Sequence, residues 1–269
     1  MSQSNGKPTP KPLSPSNKNS FAYPTMKDRV PVIICKVVDL LYRDRTTLNM
    51  KQPDDLKAVI EDMSRLRYEL LTNKPLLPIT DDRTDAKVWN DFLSFLKEES
   101  DGGQNPTWFG ARWLAAECFV YRRLLESVRK NSTELADFDF FAKQKRESFY
   151  GSLKAVSNLL ATRDTWPTTT EKTAEKSKLI GLIKISLWGN KCDLSISAGT
   201  SQSFHHNPME QVNALESHLL VDHSEKVTEF LLDMKEGSIV DIVMDNAGFE
   251  LVSDLCLADY LVSTGLVKK

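Results

Sequence analysis

Two short apolar runs constrain this chain more than any other feature, because each is closed by an aspartate and followed by a helical pattern. His218-Leu219-Leu220-Val221 ends at Asp222, and Ser224 can cap a stretch carrying Val227, Phe230, Leu231 and Met234. Gly237 is a stop signal. Ser238-Ile239-Val240-Asp241-Ile242-Val243-Met244 ends at Asp245, and Leu251, Leu255, Ala258 and Val262 follow at helical spacing. Strand, helix, strand, helix in about 45 residues predicts a βαβ unit with parallel strands. Parallel sheets need several strands covered on both faces, so two strands do not complete one. The sheet is unfinished at Lys269. The expectation is a C-terminally truncated form of a longer protein; strands supplied by another molecule are the alternative.

Upstream the period is helical. Ile34, Val37, Val38 and Leu41 mark a first helix, and Leu56, Val59, Ile60, Met63 and Leu70 a second that begins near Pro53. Asp85 is placed to cap a third, with Trp89, Phe92, Leu93 and Leu96. Phe109, Trp113, Ala116, Val120 and Leu124 mark a fourth, Phe149, Leu153, Val156 and Leu160 a fifth, and Leu179, Leu182, Ile183 and Leu187 a sixth. The expected fold class is therefore α/β: an N-terminal helical domain, then an incomplete parallel, Rossmann-like sheet. The expected division is a disordered tail over 1–20, a helical domain over 21–200, and the start of the α/β domain over 201–269. The tail expectation rests on four prolines, five serines and no acid in the first twenty residues.

Composition narrows the function classes. With 269 residues and 41% apolar side chains the chain can bury a core. Lys+Arg 35 against Asp+Glu 37 argues against a globally basic nucleic-acid binder. No apolar run approaches the roughly 18 residues of a membrane span, and the N-terminus lacks a signal-peptide core. Cys35, Cys118, Cys192 and Cys256 are scattered without metal-knuckle spacing, which fits reduced thiols of a cytoplasmic or nuclear protein. His205, His206, His218 and His223 likewise lack ligand spacing. Trp89, Trp108 and Trp113 are expected in the core, and Arg122-Arg123 on a solvated face. Glu117, in an apolar helix, needs a partner, for which these arginines are candidates.

The chemistry concentrates at Asp245-Asn246-Ala247-Gly248-Phe249-Glu250, at a strand end beside a helix N-terminus, where open α/β sheets bind ligands. Asp245 offers a charged oxygen and Asn246 a neutral amide oxygen. Together they suit a hard divalent cation, and a cation beside helix N–H groups would hold a phosphate. The same spacing is also that of an ordinary strand-to-helix turn with an Asp cap. A second cluster, Trp188-Gly189-Asn190-Lys191-Cys192-Asp193-Leu194-Ser195, reads either as a helix stop at Gly189 or as a second shell in which Asn190 and Asp193 orient ligands or sugar hydroxyls.

These residues resemble a known family. Asp245 to Leu251, continued by Asp254-Leu255-Cys256-Leu257-Ala258-Asp259, is similar to the metal-site segment of the damage-control phosphatases, also called the acidic-residue methyltransferase 1 or sugar-phosphate phosphatase family. Trp188 to Ser195 resembles a second signature of that family. The segment from Trp113 through Ala116-Glu117-Cys118 to Tyr121-Arg122-Arg123 resembles a third. The likeness runs from about residue 20 to residue 262 and is nearest to the eukaryotic subfamily.

The resemblance implies a helical domain on an α/β domain and metal-dependent hydrolysis of phosphate monoesters, including fructose 1-phosphate and fructose 6-phosphate. Cobalt, nickel, manganese or magnesium would support the reaction. Asp245 and Asn246 match the first two metal ligands, and Glu250 a ligand-binding position, so Asp245, Asn246, Glu250, Asn190 and Asp193 form the expected substrate site. The family's third metal aspartate and its Arg-Thr-x-Lys phosphate motif have no counterpart in this sequence, and its last seven residues leave the family pattern. Impaired phosphatase activity is the resulting expectation.

An alternative implied by the same family is an S-adenosylmethionine-dependent carboxyl methyltransferase acting on glutamates of the replication sliding clamp in the DNA damage response. No Gly-x-Gly-x-x-Gly loop follows either run to support it. A non-catalytic helical binding module is a third reading.

Overall fold

The computed structural model describes residues 10–46, 53–100, 103–165, 174–197, 212 and 214–268, with backbone alone for 53, 165 and 191–197. The chain divides into two compact units, Met1–Phe140 and Phe141–Lys269.

Among the described residues, the longer helices of the first unit are as follows. The first, α1, combines Ala22–Pro24, a π turn at Thr25–Arg29 and Val30–Arg43. The π turn lies directly ahead of Pro31, whose missing N–H interrupts the ordinary ladder. Val30, Ile34, Val37 and Leu41 form its buried stripe. Pro53–Leu71 (α2) buries Leu56, Val59, Met63, Leu66 and Leu70, so the sequence spacing reads correctly into one apolar face. Ala86–Glu98 (α3) and Trp113–Asn131 (α4) follow, and Trp108 is fully buried ahead of α4. Within 10–20, the described part of the N-terminal stretch, the Leu13 carbonyl accepts the Trp113 N–H at 2.8 Å.

The buried face of α4 carries charge as well as hydrocarbon, and here the structure corrects three expectations. Arg122 is not solvated: its side chain is 5% exposed and donates to Asp81 at 2.6 and 2.7 Å and to Asp85 at 2.9 Å. Arg123 pairs with Glu126 at 3.0 Å. Glu117 takes its partner from α1 instead, accepting from Arg29 at 2.8 Å. Asp85 does stand at the N-cap position of α3, but its carboxylate is spent on Arg122 and makes no cap hydrogen bond. The cause is the segment between α2 and α3, which folds over α4. Thr80 donates its N–H and hydroxyl to Glu126, at 2.6 and 2.9 Å, and Ile79 exchanges two hydrogen bonds with Asn90.

The second unit holds Ala142–Ala161 (α5), Lys176–Ser197 (α6), Ser224–Leu232 (α7) and Gly248–Ser263 (α8). Helix α8 packs on α5 and α6. Their core joins Val156 and Leu159 to Leu179, Leu182 and Ile185, Leu231, and Phe249, Tyr260 and Leu261.

The expected parallel sheet is absent among the described residues. Leu219 follows a 3₁₀ turn at Glu216–His218, and 239–246 runs irregularly into α8. Leu220 is 100% and Val243 89% exposed; of the second run, Val240 packs against the core. Two short runs do not supply the several strands and two covered faces that parallel pairing requires. Ser224 also does not cap α7; instead Asp222 accepts its backbone N–H at 2.8 Å. Gly189 does not stop α6, which continues to Ser197.

Candidate functional site at the entrance of α8

Helix α8 begins abruptly. Ala247 is extended, with φ −121° and ψ −172°, and Gly248 has φ +71°, a conformation that glycine adopts without the Cβ penalty. Phe249, 1% exposed, then anchors the first turn in the core. This fixes Asp245 and Asn246 just outside the helix, both exposed, with Glu250 half-buried in its first turn.

Asn246 is held from both ends of its side chain. Its Oδ1 accepts the Ala247 N–H at 2.9 Å, and its Nδ2 donates to Glu250 Oε2 at 2.8 Å. Turning the amide over would set its donor against an N–H and its acceptor against a carboxylate. The two partners therefore define which pole is which. Oδ1 keeps a second lone pair at the helix entrance.

The second sequence cluster meets this one. A Cβ placed on Gly189 of α6 would lie 2.7 Å from the Glu250 Cα and 2.9 Å from its Cβ. No side chain fits there, so the glycine permits the two helices to touch backbone to backbone. One turn earlier on α6, Ser186 donates to Asp254 at 2.5 Å, and Asp254 is 8% exposed. Ser186 and Gly189 share one face of α6, as Glu250 and Asp254 share one face of α8. Sequence reading missed both contacts. The available signal was a glycine inside a helix, which costs about 1 kcal/mol relative to alanine and often marks a close packing approach.

Of the other expected site residues, Asn190 is exposed on α6 next to Gly189. Asp193 lies in α6 with only its backbone described, so its side chain falls outside the described residues. His205 and His206 also fall outside them; His218 ends a 3₁₀ turn and His223 occupies the N-cap position of α7. Cys35, Cys118 and Cys256 are free thiols. Burial pushes the Cys256 thiol up, with the Asp259 charge adding to it, which does not favour a reactive thiolate. In the first unit a mostly apolar groove of about 700 Å³ is lined by Leu13, Trp89, Phe92 and Trp113 together with Arg112, and among the described residues its lining holds no carboxylate or hydroxyl.

The residues at the α8 entrance are hard oxygen donors. Among the described residues no three His, Cys, Asp or Glu side chains cluster as a metal cage. One carboxylate and one amide oxygen instead fit a cation such as magnesium, which keeps several waters and takes one or two carboxylates together with substrate phosphate. Among the described residues no helix is long and apolar enough to cross a membrane.

Residues 25–269 match the family described as the damage-control phosphatase ARMT1-like domain. The chain is 39% identical to the damage-control phosphatase ARMT1 of Danio rerio over 97% of its own length and 61% of that relative. It is 38% identical to the Homo sapiens protein of that name over 96% of the chain and 61% of the relative. Against the Mus musculus protein the figures are 39%, 94% and 60%. The chain thus spans about three-fifths of the length of these curated relatives.

Proposed function

The chain belongs to the damage-control phosphatase ARMT1-like family, and from that premise we propose that Asp245 and Asn246 serve metal-dependent hydrolysis of phosphate monoesters. Sugar phosphates such as fructose 1-phosphate and fructose 6-phosphate are the proposed substrate class. One observation carries this reading: Gly189, from the second sequence cluster, lies against Glu250, and Glu250 is bonded to Asn246. A turn that served only to start a helix would not need that backing.

Asp245 and Asn246 would hold the divalent ion, whether manganese, nickel, cobalt or magnesium. When bound, the ion supplies charge neutralisation for the phosphoryl group and acidifies water. Asp245 brings the negative charge and Asn246 a neutral oxygen of fixed orientation. The first turn of α8 adds the positive end of a helix dipole, which favours a phosphate at the same entrance. Metal affinity from two protein oxygens is expected to be weak, since hard cations gain from ligand charge and number.

Phosphate release from fructose 1-phosphate, assayed with millimolar manganese, cobalt, nickel or magnesium, tests the reading. The impaired activity that the resemblance implies predicts low release from this chain; that release should still require the ion, and Asp245→Ala should lower it further, by up to about two orders of magnitude, in the range seen when one group stabilising the transition state is removed. Release that ignores both chelator and Asp245→Ala would overturn it.

A further inference from the structure

The structure assigns positioning roles to Gly189 and Glu250: the bare Cα of Gly189 seats Glu250, and Glu250 in turn sets which pole of the Asn246 amide faces the helix entrance. The chain of contacts is continuous. A Cβ at 189 would meet the Glu250 Cα at 2.7 Å, its Cβ at 2.9 Å and its Cγ at 3.0 Å, so the α6 backbone is the surface on which the Glu250 stem rests. Two of those three atoms belong to the side chain but the nearest is backbone, so an added methyl cannot be relieved by a rotamer change alone. The Glu250 carboxylate then accepts from Asn246 Nδ2 at 2.8 Å. A carboxylate only accepts, so it holds the NH₂ end and leaves Oδ1 beside the Ala247 N–H.

Ser186 keeps the seat in register. Its hydroxyl bond to the buried Asp254 ties α6 to α8 one turn along from the Gly189 contact. Glu250 therefore acts through Asn246, as an acceptor that orients a neighbouring ligand. Its charge is secondary. For the bound ion this part rests on the function proposed above, because only an oxygen-first amide is a ligand for a hard cation. The seating of Glu250 and the amide orientation do not depend on it.

The test compares the full chain with Glu250→Ala, Glu250→Gln and Gly189→Ala, each checked for native helicity and melting temperature. Two readouts are used: manganese binding followed by electron paramagnetic resonance, and the side-chain amide resonances of Asn246 in asparagine-labelled protein without metal. Glu250→Ala should weaken manganese binding by about 10-fold or more, the usual effect of losing an outer-shell partner, and shift the Asn246 amide signals. Glu250→Gln, which keeps an acceptor but no charge, should restore most of the affinity. Gly189→Ala should move the same Asn246 signals and add little to Glu250→Ala in the double variant.

Manganese binding as weak in Glu250→Gln as in Glu250→Ala would overturn the assignment, because Glu250 would then act by charge or direct ligation. Asn246 signals unmoved by Glu250→Ala in a folded protein would also overturn it. If the unaltered chain bound no manganese, the metal reading would fall, while the metal-free Asn246 signals would still decide the positioning claim. If Gly189→Ala did not fold, the two Glu250 variants carry the decision.

Discussion

At the scale of single residues, Arg122 is a buried charge whose stability depends on its partners. Its guanidinium is nearly enclosed and binds two carboxylates, Asp81 at 3% and Asp85 at 41% side-chain exposure. Removing one partner of a buried pair leaves an uncompensated charge, which typically costs about 3–5 kcal/mol, whereas replacing the whole pair by hydrocarbon often costs little. Arg122→Met should therefore destabilise the unit by roughly that amount in urea titration, since Asp81 remains behind. Asp81→Leu combined with Asp85→Leu and Arg122→Met should recover much of the loss. A single Arg122→Met variant as stable as the parent chain would show that the cluster contributes nothing. Neither the burial of Arg122 nor the choice of Arg29 for Glu117 was legible in the sequence, because both depend on elements far away along the chain. A pair of adjacent arginines reads locally as a wet helix face, and only tertiary packing decides otherwise.

At the scale of elements, the helices were legible and their edges and polar contacts were not. The apolar periods of α2, α3 and α4 translate into buried stripes, because a 3.6-residue repeat has one geometrical solution, whereas Leu187 of α6 and Leu153 and Leu160 of α5, placed on the same kind of stripe by the sequence, stand exposed. The segment between α2 and α3 carries no such period. It is fixed instead by hydrogen bonds donated by Arg122 to Asp81 and accepted by Glu126 and Asn90 from Thr80 and Ile79. That makes its attachment sensitive to acid. The Arg122 hydrogen bonds hold the Asp81 carboxyl below its ordinary 3.8, against an opposing contribution from burial, and the same partner lowers Asp85. Groups with depressed folded values stabilise fully above their unfolded values and lose that contribution as pH falls through the folded ones. The parent chain should thus lose melting temperature steeply below pH 3.8. Asp81→Asn with Asp85→Asn should start lower at pH 7 and decline more gently, the two curves converging in acid. Parallel curves from pH 7 to pH 2 would refute the attachment. At the α8 entrance the residue types and their order were legible, and Asn246 and Glu250 are hydrogen-bonded there, with Asp245 next to Asn246 along the chain. The seat at Gly189 was not, since a glycine after an apolar helix looks the same whether it ends the helix or admits a neighbour.

At the scale of the whole molecule, the apolar runs that read as strands are where pattern and structure part. Their composition is that of buried parallel strands, rich in Ile, Val and Leu. Such a strand is stable only when flanked, and these runs have no paired neighbour among the described residues. Leu220, Val221, Ile239 and Val243 consequently stand 60% to 100% exposed. Burial, not residue type, sets the cost of replacing them. A substitution on an exposed, uncontacted position usually changes stability by within about 0.5 kcal/mol, whereas a lysine forced into a central strand would leave a buried unpaired charge and cost several times more. Val243→Lys and Leu220→Lys are therefore expected to leave urea midpoints unchanged and to lower binding of an apolar dye, because each removes hydrocarbon from the surface. Val240→Lys should behave differently, since Val240 packs against the core of the second unit. A large destabilisation by Val243→Lys would place that side chain in a packed environment and would restore the strand that the sequence pattern suggests. The contrast between positions 240 and 243 is the sharper measurement, because both are valines in one run and only their surroundings differ.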